Sequence, residues 1–166
     1  MENKIEIRSV NKNDLSAISE VLLDWLTAEE VEHYIKQIHD IISDTSGPKF
    51  DSHYYVAVLD KVVIGLVGFR EPLPKLLKFT TKAKPAELCM IYVSNKHRGG
   101  QGVGTALLNY VIKELVARKY DELVVRSAEK FSDTGWGFYD SLGFERVGQL
   151  LPPESETKSQ VWLKQL

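Results

Sequence analysis

The sequence predicts one mixed α/β domain spanning residues 1–166, and a few observations carry that prediction. Strand patterns with alternating apolar residues are interleaved with amphipathic helical patterns along the whole chain. Two of the strand patterns meet at Asp60-Lys61 as a hairpin. Near the middle, the apolar strand ending Ile91-Tyr92-Val93 runs into a basic, glycine-rich turn that opens directly into a helical pattern. A chain of 166 residues with 43% hydrophobic and 27% charged content is long enough, and apolar enough, to bury one core. No internal repeat, linker or low-complexity tract divides it.

Lys4 to Val10 sets Ile5 and Ile7 against polar neighbours and reads as a short strand. Asn13 offers an N-cap to a helix carrying Leu15, Ile18, Val21, Leu22, Trp25 and Leu26 at helical spacing. Thr27-Ala28-Glu29-Glu30 has the capping-box pattern and opens a second helix with Val31, Tyr34, Ile35, Ile38, Ile41 and Ile42 inward. Ser46-Gly47-Pro48 ends it. His53 to Leu59 and Val62 to Arg70 are the strands of the hairpin. Glu71 to Pro85, with its prolines and lysines and few core candidates, reads as a long loop, the kind that is often functional. Glu87 to Val93 is a strand and Gly102 to Ala117 a helix burying Val103, Ala106, Leu107, Tyr110, Val111 and Leu115. Leu123 to Ser127 is a buried strand, and a short helix over Thr134 to Leu142 ends at Gly143, a left-handed cap. Phe144 to Leu150 and Ser159 to Leu166 close the chain as strands.

Composition excludes several classes. A formal charge of −2 does not suit a dedicated nucleic-acid binder. The single cysteine, Cys89, cannot form an internal disulfide, which fits a reducing compartment. No apolar run is long enough to span a membrane, and Met1-Glu2-Asn3-Lys4 does not open a signal peptide, so the expectation is a cytoplasmic protein. The histidines are scattered. His33 and His39 stand six apart, off the i, i+4 face-sharing of a metal pair, so no metal site is expected.

The glycine turn is the chemically informative segment. A strand, a glycine turn and a helix N-terminus form an anion cradle, because N–H groups without helical partners and the helix dipole both favour negative charge. A Walker loop would need a lysine before its serine or threonine, and here Gly104 is followed directly by Thr105. A dinucleotide fingerprint would need glycine or alanine where this chain has Thr105 or Leu107. Arg98-Gly99-Gly100-Gln101-Gly102-Val103-Gly104-Thr105, with Ala106, Leu107 and Leu108 behind it, instead resembles the acetyl-CoA pyrophosphate loop of the GNAT superfamily of N-acetyltransferases. Phe138-Tyr139-Asp140-Ser141-Leu142-Gly143-Phe144 resembles that family's "Tyr-x-x-x-Gly-Phe" element, and the predicted elements follow the family's order. One departure stands out: three residues separate Arg98 from Gly102 where the family usually has two. The adjacent glycines can absorb the extra residue, and the backbone from Gly99 to Gly104 is expected to meet the pyrophosphate ahead of Arg98.

The resemblance implies a central, mostly antiparallel sheet with a splayed parallel strand pair, flanked by about four helices. It implies acetyl-CoA as cosubstrate, a primary amine as acceptor, direct attack in a ternary complex and no metal. The backbone of Ile91, Tyr92 and Val93 would line pantetheine, Tyr139 would protonate the leaving thiolate, and Glu87, six residues before Val93, would accept the amine proton. The residue-level alternative for Glu87 is a surface carboxylate at a strand edge; for Tyr139 it is a packing residue. The family often carries an asparagine upstream of the tyrosine, and none lies between Ser127 and Tyr139. The competing function is a non-catalytic acyl-CoA-binding sensor that keeps the cradle alone. A monomer or homodimer fits either reading. Trp25, Tyr34, Trp136 and Phe138 are expected to pack in the core and Cys89 to behave as a small hydrophobe, while His97 adds positive character to the turn. The lysines at 75, 78, 82 and 84 belong to a solvated loop, for which a lid over the acceptor is one use.

Overall fold

In the computed structural model, which describes residues 4–47 and 49–166, the chain forms a seven-stranded sheet in the order β1-β2-β3-β4-β5-β7-β6. The strands are β1 Glu6–Ser9, β2 His53–Leu59, β3 Val62–Arg70, β4 Pro85–Val93, β5 Glu122–Ala128, β6 Glu145–Leu150 and β7 Ser159–Gln165. The helices are α1 Leu15–Leu23, α2 Ala28–Ser43, α3 Val103–Ala117 and α4 Trp136–Ser141. By its internal contacts the chain divides into two compact units, Met1–Arg70 with Met90–Lys113, and Glu71–Cys89 with Glu114–Leu166.

In the first unit, β2 pairs antiparallel with both β1 and β3. Asp60 and Lys61 both take positive φ, 49° and 67°, as a two-residue hairpin turn matched to strand twist requires. Thr27 caps α2 as its sequence predicts: its Oγ1 accepts from Glu30 N at 3.2 Å, and Glu30 Oε1 accepts from Thr27 N at 3.1 Å. The cap before α1 is Asn11 and not Asn13, because a 3-10 turn, Lys12–Asp14, precedes the helix and moves the cap two residues back. Asp14 closes that box on Asn11 N at 2.8 Å and takes a two-pronged ion pair from Arg8 at 2.7 and 2.8 Å. The predicted stop of α2 reaches Pro48, which lies outside the described residues; the helix itself ends at Ser43.

In the second unit, β5 and β7 pair antiparallel along their whole lengths, and β6 flanks β7. The one parallel pairing runs from Pro85↔Glu122 to Glu87↔Val124, while β4 continues to Val93 and β5 to Ala128. β4 starts two residues before the sequence suggests. The segment from Glu71 to Pro85 is not the structureless loop expected. It folds as a 3-10 helix, Pro74–Phe79, whose Leu76 is fully buried with Val124, Leu150, Val161 and Leu163. Of the three leucines among these prolines and lysines Leu76 alone is buried, which gives no periodicity for the sequence to show. The following residues are tied down as well. Fully buried Glu122 accepts from Thr81 N at 2.6 Å, Thr81 Oγ1 at 2.8 Å, Lys82 N at 3.0 Å and Gln165 Nε2 at 3.0 Å. These bonds fix Thr81 and Lys82 in the segment that the sequence reads as loop. Gly143 ends α4 with φ of 82°, as predicted.

Candidate acetyl-donor site

The glycine turn leaves the sheet through specific bonds, all within the first unit. Ser94 N donates to Ile64 O at 2.9 Å, continuing the β3 side of the sheet for one residue past β4. His97 N then turns back to Ser94 O at 2.9 Å, and Ser94 Oγ lies 2.8 Å from His97 Nδ1. His97 is thus tied to the base of the turn. Gly99, Gly100 and Gly102 follow with φ of 71°, 76° and 72°. That left-handed region costs an L-residue roughly 1–2 kcal/mol, so glycine is the residue that fits. The adjacent Gly99 and Gly100 both take this conformation.

A Cβ added at any of these three glycines would meet nothing within 4 Å. Packing therefore does not demand them; they leave the backbone of the turn open to an approaching group. Ala106 N makes the first return bond of α3, to Gly102 O at 2.9 Å. The N–H groups of Val103, Gly104 and Thr105 lie ahead of that bond, at the positive end of the helix dipole. Arg98, Gly99, Gly100, Gln101 and Gly102 are exposed, Gly104 and Thr105 half-buried, and Val103 buried as the hydrophobic anchor of the helix start. An open, left-handed backbone joined to a helix N-terminus fits a phosphate-bearing ligand.

Two residues from the end of α1 hold this turn, and the sequence pointed to neither. Trp25, expected in the core, is half-buried and donates its indole N–H to Val93 O at 2.8 Å. Its ring also lies 4.9 Å from the Arg98 guanidinium carbon. Asp24 Oδ2 accepts from Asn95 N at 2.8 Å. Ile91, Tyr92 and Val93 are half-buried, and the Val93 carbonyl is engaged by Trp25.

Glu87 and Tyr139 belong to the second unit. Glu87 is not a surface carboxylate, being 2% exposed. It stands at the last pair of the parallel register, opposite Val124, and its Oε1 accepts from Leu73 N at 3.0 Å. Tyr139 is buried against Phe138, Phe144 and Trp162, with ring centroids 5.4, 5.6 and 4.9 Å away. Burial pushes its phenol far above the ordinary tyrosine value, so at neutral pH it keeps its proton and is a donor. Trp162 is itself fixed: its Nε1 donates to Asp140 Oδ1 at 2.9 Å, and Arg146 grips both oxygens of Asp140 at 3.0 and 2.8 Å. Arg146, ahead of Trp162, holds the Asp140 carboxyl below its usual range. Trp136 packs edge-on to Trp162, in line with its expected packing role, and Cys89 is half-buried. Among the described residues no group of histidine, cysteine, aspartate and glutamate could hold a metal ion.

A glycine turn of this build, between the strand that carries the parallel register and a long helix, is matched by one family model. The model of the acetyltransferase (GNAT) family covers residues 17–144. The chain belongs to that family. Solved GNAT structures share its fold over nearly its whole length. A GNAT-family protein from Desulfovibrio desulfuricans superposes with a TM-score of 0.80 at 18% identity, covering 98% of this chain and 99% of its own. The PaiA N-acetyltransferase of Thermoplasma acidophilum, in complex with coenzyme A, gives 0.71 at 19% identity, with 98% and 99% covered. The ribosomal-protein-alanine N-acetyltransferase of Brucella melitensis gives 0.67 at 20% identity, with 97% and 99% covered. No curated protein matches the chain. The mixed sheet, its single parallel pair and the helices around it are those the GNAT resemblance implies. No helix among the described residues is long and apolar enough to cross a membrane.

Proposed function

We propose that residues 1–166 work as a single N-acetyltransferase domain that moves the acetyl group of acetyl-CoA to a primary amine of a small molecule or peptide. The observation that carries this reading is the turn from Arg98 to Gly102, with left-handed glycines opening onto the α3 N-terminus in a chain of the GNAT family. In this reading the pyrophosphate rests on the backbone of Gly99 to Gly104 and the N–H of Thr105, and pantetheine runs along the backbone from Ile91 to Val93.

The chemistry asks for a base and an acid. An alkylamine with pKa near 10.4 is free base in only about one molecule in a thousand at pH 7. Glu87 is the carboxylate proposed to take its proton, directly or through water, and its bond from Leu73 N fixes the carboxyl's orientation. The amine then attacks the thioester carbonyl, the C–S bond breaks and the departing thiolate takes the phenolic proton of Tyr139. The second proton of the attacking nitrogen leaves through water, and water reprotonates the phenolate before the next turnover. Tyr139, protonated at neutral pH and set among aromatic rings, is the group proposed to give that proton to the thiolate. Direct transfer in a ternary complex needs no covalent enzyme intermediate. A cytoplasmic site of action, a monomeric or homodimeric state and the absence of nucleic-acid or membrane partners belong to the same proposal, on the composition and charge given above.

The test is CoA release from acetyl-CoA against a panel of primary amines, read with a thiol reagent, beside calorimetric binding of CoA. Amine-dependent release together with CoA binding is the expected result. Binding without release on any amine would favour the sensor reading, and absence of CoA binding would defeat both.

A further inference from the structure

We infer that Trp25 is a positioning residue for the donor, one that sets where the cation of the glycine turn stands. The inference rests on the acetyl-CoA reading above and adds a residue outside the turn to it. Arg98 is exposed and followed by consecutive left-handed glycines, so nothing in its own segment limits where its long side chain points. Trp25 supplies that limit. The indole face lies 4.9 Å from the guanidinium carbon, within cation–π range, while the indole N–H is spent on Val93 O at 2.8 Å. One side chain therefore links the end of β4 to Arg98. Asp24, its neighbour, holds Asn95 N at 2.8 Å and fixes the stretch between those two points. The α1 terminus thus grips the strand end, the start of the turn and the guanidinium.

A guanidinium parked on a ring has lost much of its freedom before any anion arrives, so less ordering remains to be done on binding. The consequence is specific. Trp25 strengthens the hold on the phosphates of the donor more than the hold on its thiol arm. The indole N–H to Val93 O, lost alike in Trp25→Leu and Trp25→Phe, cancels between those two variants. A merely structural tryptophan would weaken both parts alike.

The experiment is calorimetric binding of CoA and of pantetheine, which lacks every phosphate, to the full chain and to Trp25→Leu, Trp25→Phe and Arg98→Ala. Trp25→Leu should weaken CoA about fivefold to tenfold, as expected for loss of one cation–π contact and its preorganisation, and leave pantetheine within about twofold. Trp25→Phe keeps a ring under Arg98 and should recover most of the loss. Once Arg98 is alanine, Trp25→Leu should cost CoA little more, because the two changes remove one interaction. Equal weakening of CoA and pantetheine, or additive losses in the double variant, would overturn the inference. If Trp25→Leu fails to fold, the same comparison of ligands is made on Trp25→Phe and Arg98→Ala, where a phosphate-independent loss in both again overturns it. Failure of the wild-type chain to bind CoA would instead strike at the acetyltransferase reading itself.

Discussion

The turn between β4 and α3 presents backbone to solvent, whereas the surroundings of Tyr139 present side chains to one another. In the turn, Gly99, Gly100 and Gly102 hold left-handed conformations with open space over them. Around Tyr139, aromatic rings and the Asp140–Arg146 pair fill the space, and burial alone moves the phenol's titration. In the proposed function the first region recognises charge with groups every residue carries, so its demands are on conformation. The second sets the proton affinity of one side chain, so its demands are on packing. Substitutions should therefore separate: changes in the turn should act on donor affinity, and changes around the tyrosine on rate or stability.

The largest effect should come from Tyr139→Phe, which keeps the ring and removes the proton. A general acid contributes about 10²–10⁴ to rate, so kcat should fall by that order while CoA affinity stays within twofold. Steady-state kinetics with calorimetry checks it, and an unchanged kcat would return Tyr139 to a packing role. Gly102→Ala is the matching break on the other side. With φ of 72°, alanine is strained by about 1–2 kcal/mol and its methyl stands over the open backbone, so CoA binding should weaken roughly tenfold or more while kcat at saturating donor holds. If affinity is unaffected, the turn is not the phosphate cradle.

These two sites differ also in how far the sequence reveals them. The turn is legible because its determinants are contiguous: glycines where φ must be positive, an apolar strand before them and a helix after. The capping box at Thr27 and the turn at Asp60-Lys61 are legible for the same reason. Trp25, Asp24, Leu76 and Glu122 are not. Trp25 meets Val93 across 68 residues and Thr81 meets Glu122 across 41, and such pairs leave no mark in local spacing. Glu87 is legible only through the family resemblance, six residues before Val93, and its bond from Leu73 N comes from a segment that reads as loop. Asn13 was misassigned as a cap because a 3-10 turn and the first turn of a helix share the same polar signature.

Glu122 tests the packed unit through pH. Burial raises its carboxyl, but the donors from Thr81, Lys82 and Gln165 outweigh it and hold the group below its ordinary value. A depressed folded pKa means that the stabilisation is present above the unfolded value, near ~4.3, and is lost as pH falls through the folded one. Glu122→Gln should therefore cost about 1–3 kcal/mol at pH 7, and the gap from wild type should narrow below about pH 4. Denaturant unfolding at both pH values checks this; an equal loss at both would show that the charge contributes nothing. CoA affinity should not move.

Gly148→Ala gives the sharpest contrast, because it is the same one-carbon change as Gly102→Ala placed in the packed unit. Gly148 sits where the β6–β7 register shifts, and a Cβ there would stand 2.6 Å from the ring edge of Phe79. The half-buried ring can tilt, but φ of 158° also strains an L-residue there, so the cost should be about 2 kcal/mol. That is a fall in melting temperature of several degrees for a chain of this size. Donor affinity should stay at the wild-type value. A methyl group is then read as lost binding at position 102 and as lost stability at position 148. If Gly148→Ala weakens CoA as much as Gly102→Ala does, the division between an open backbone site and a packed side-chain site fails.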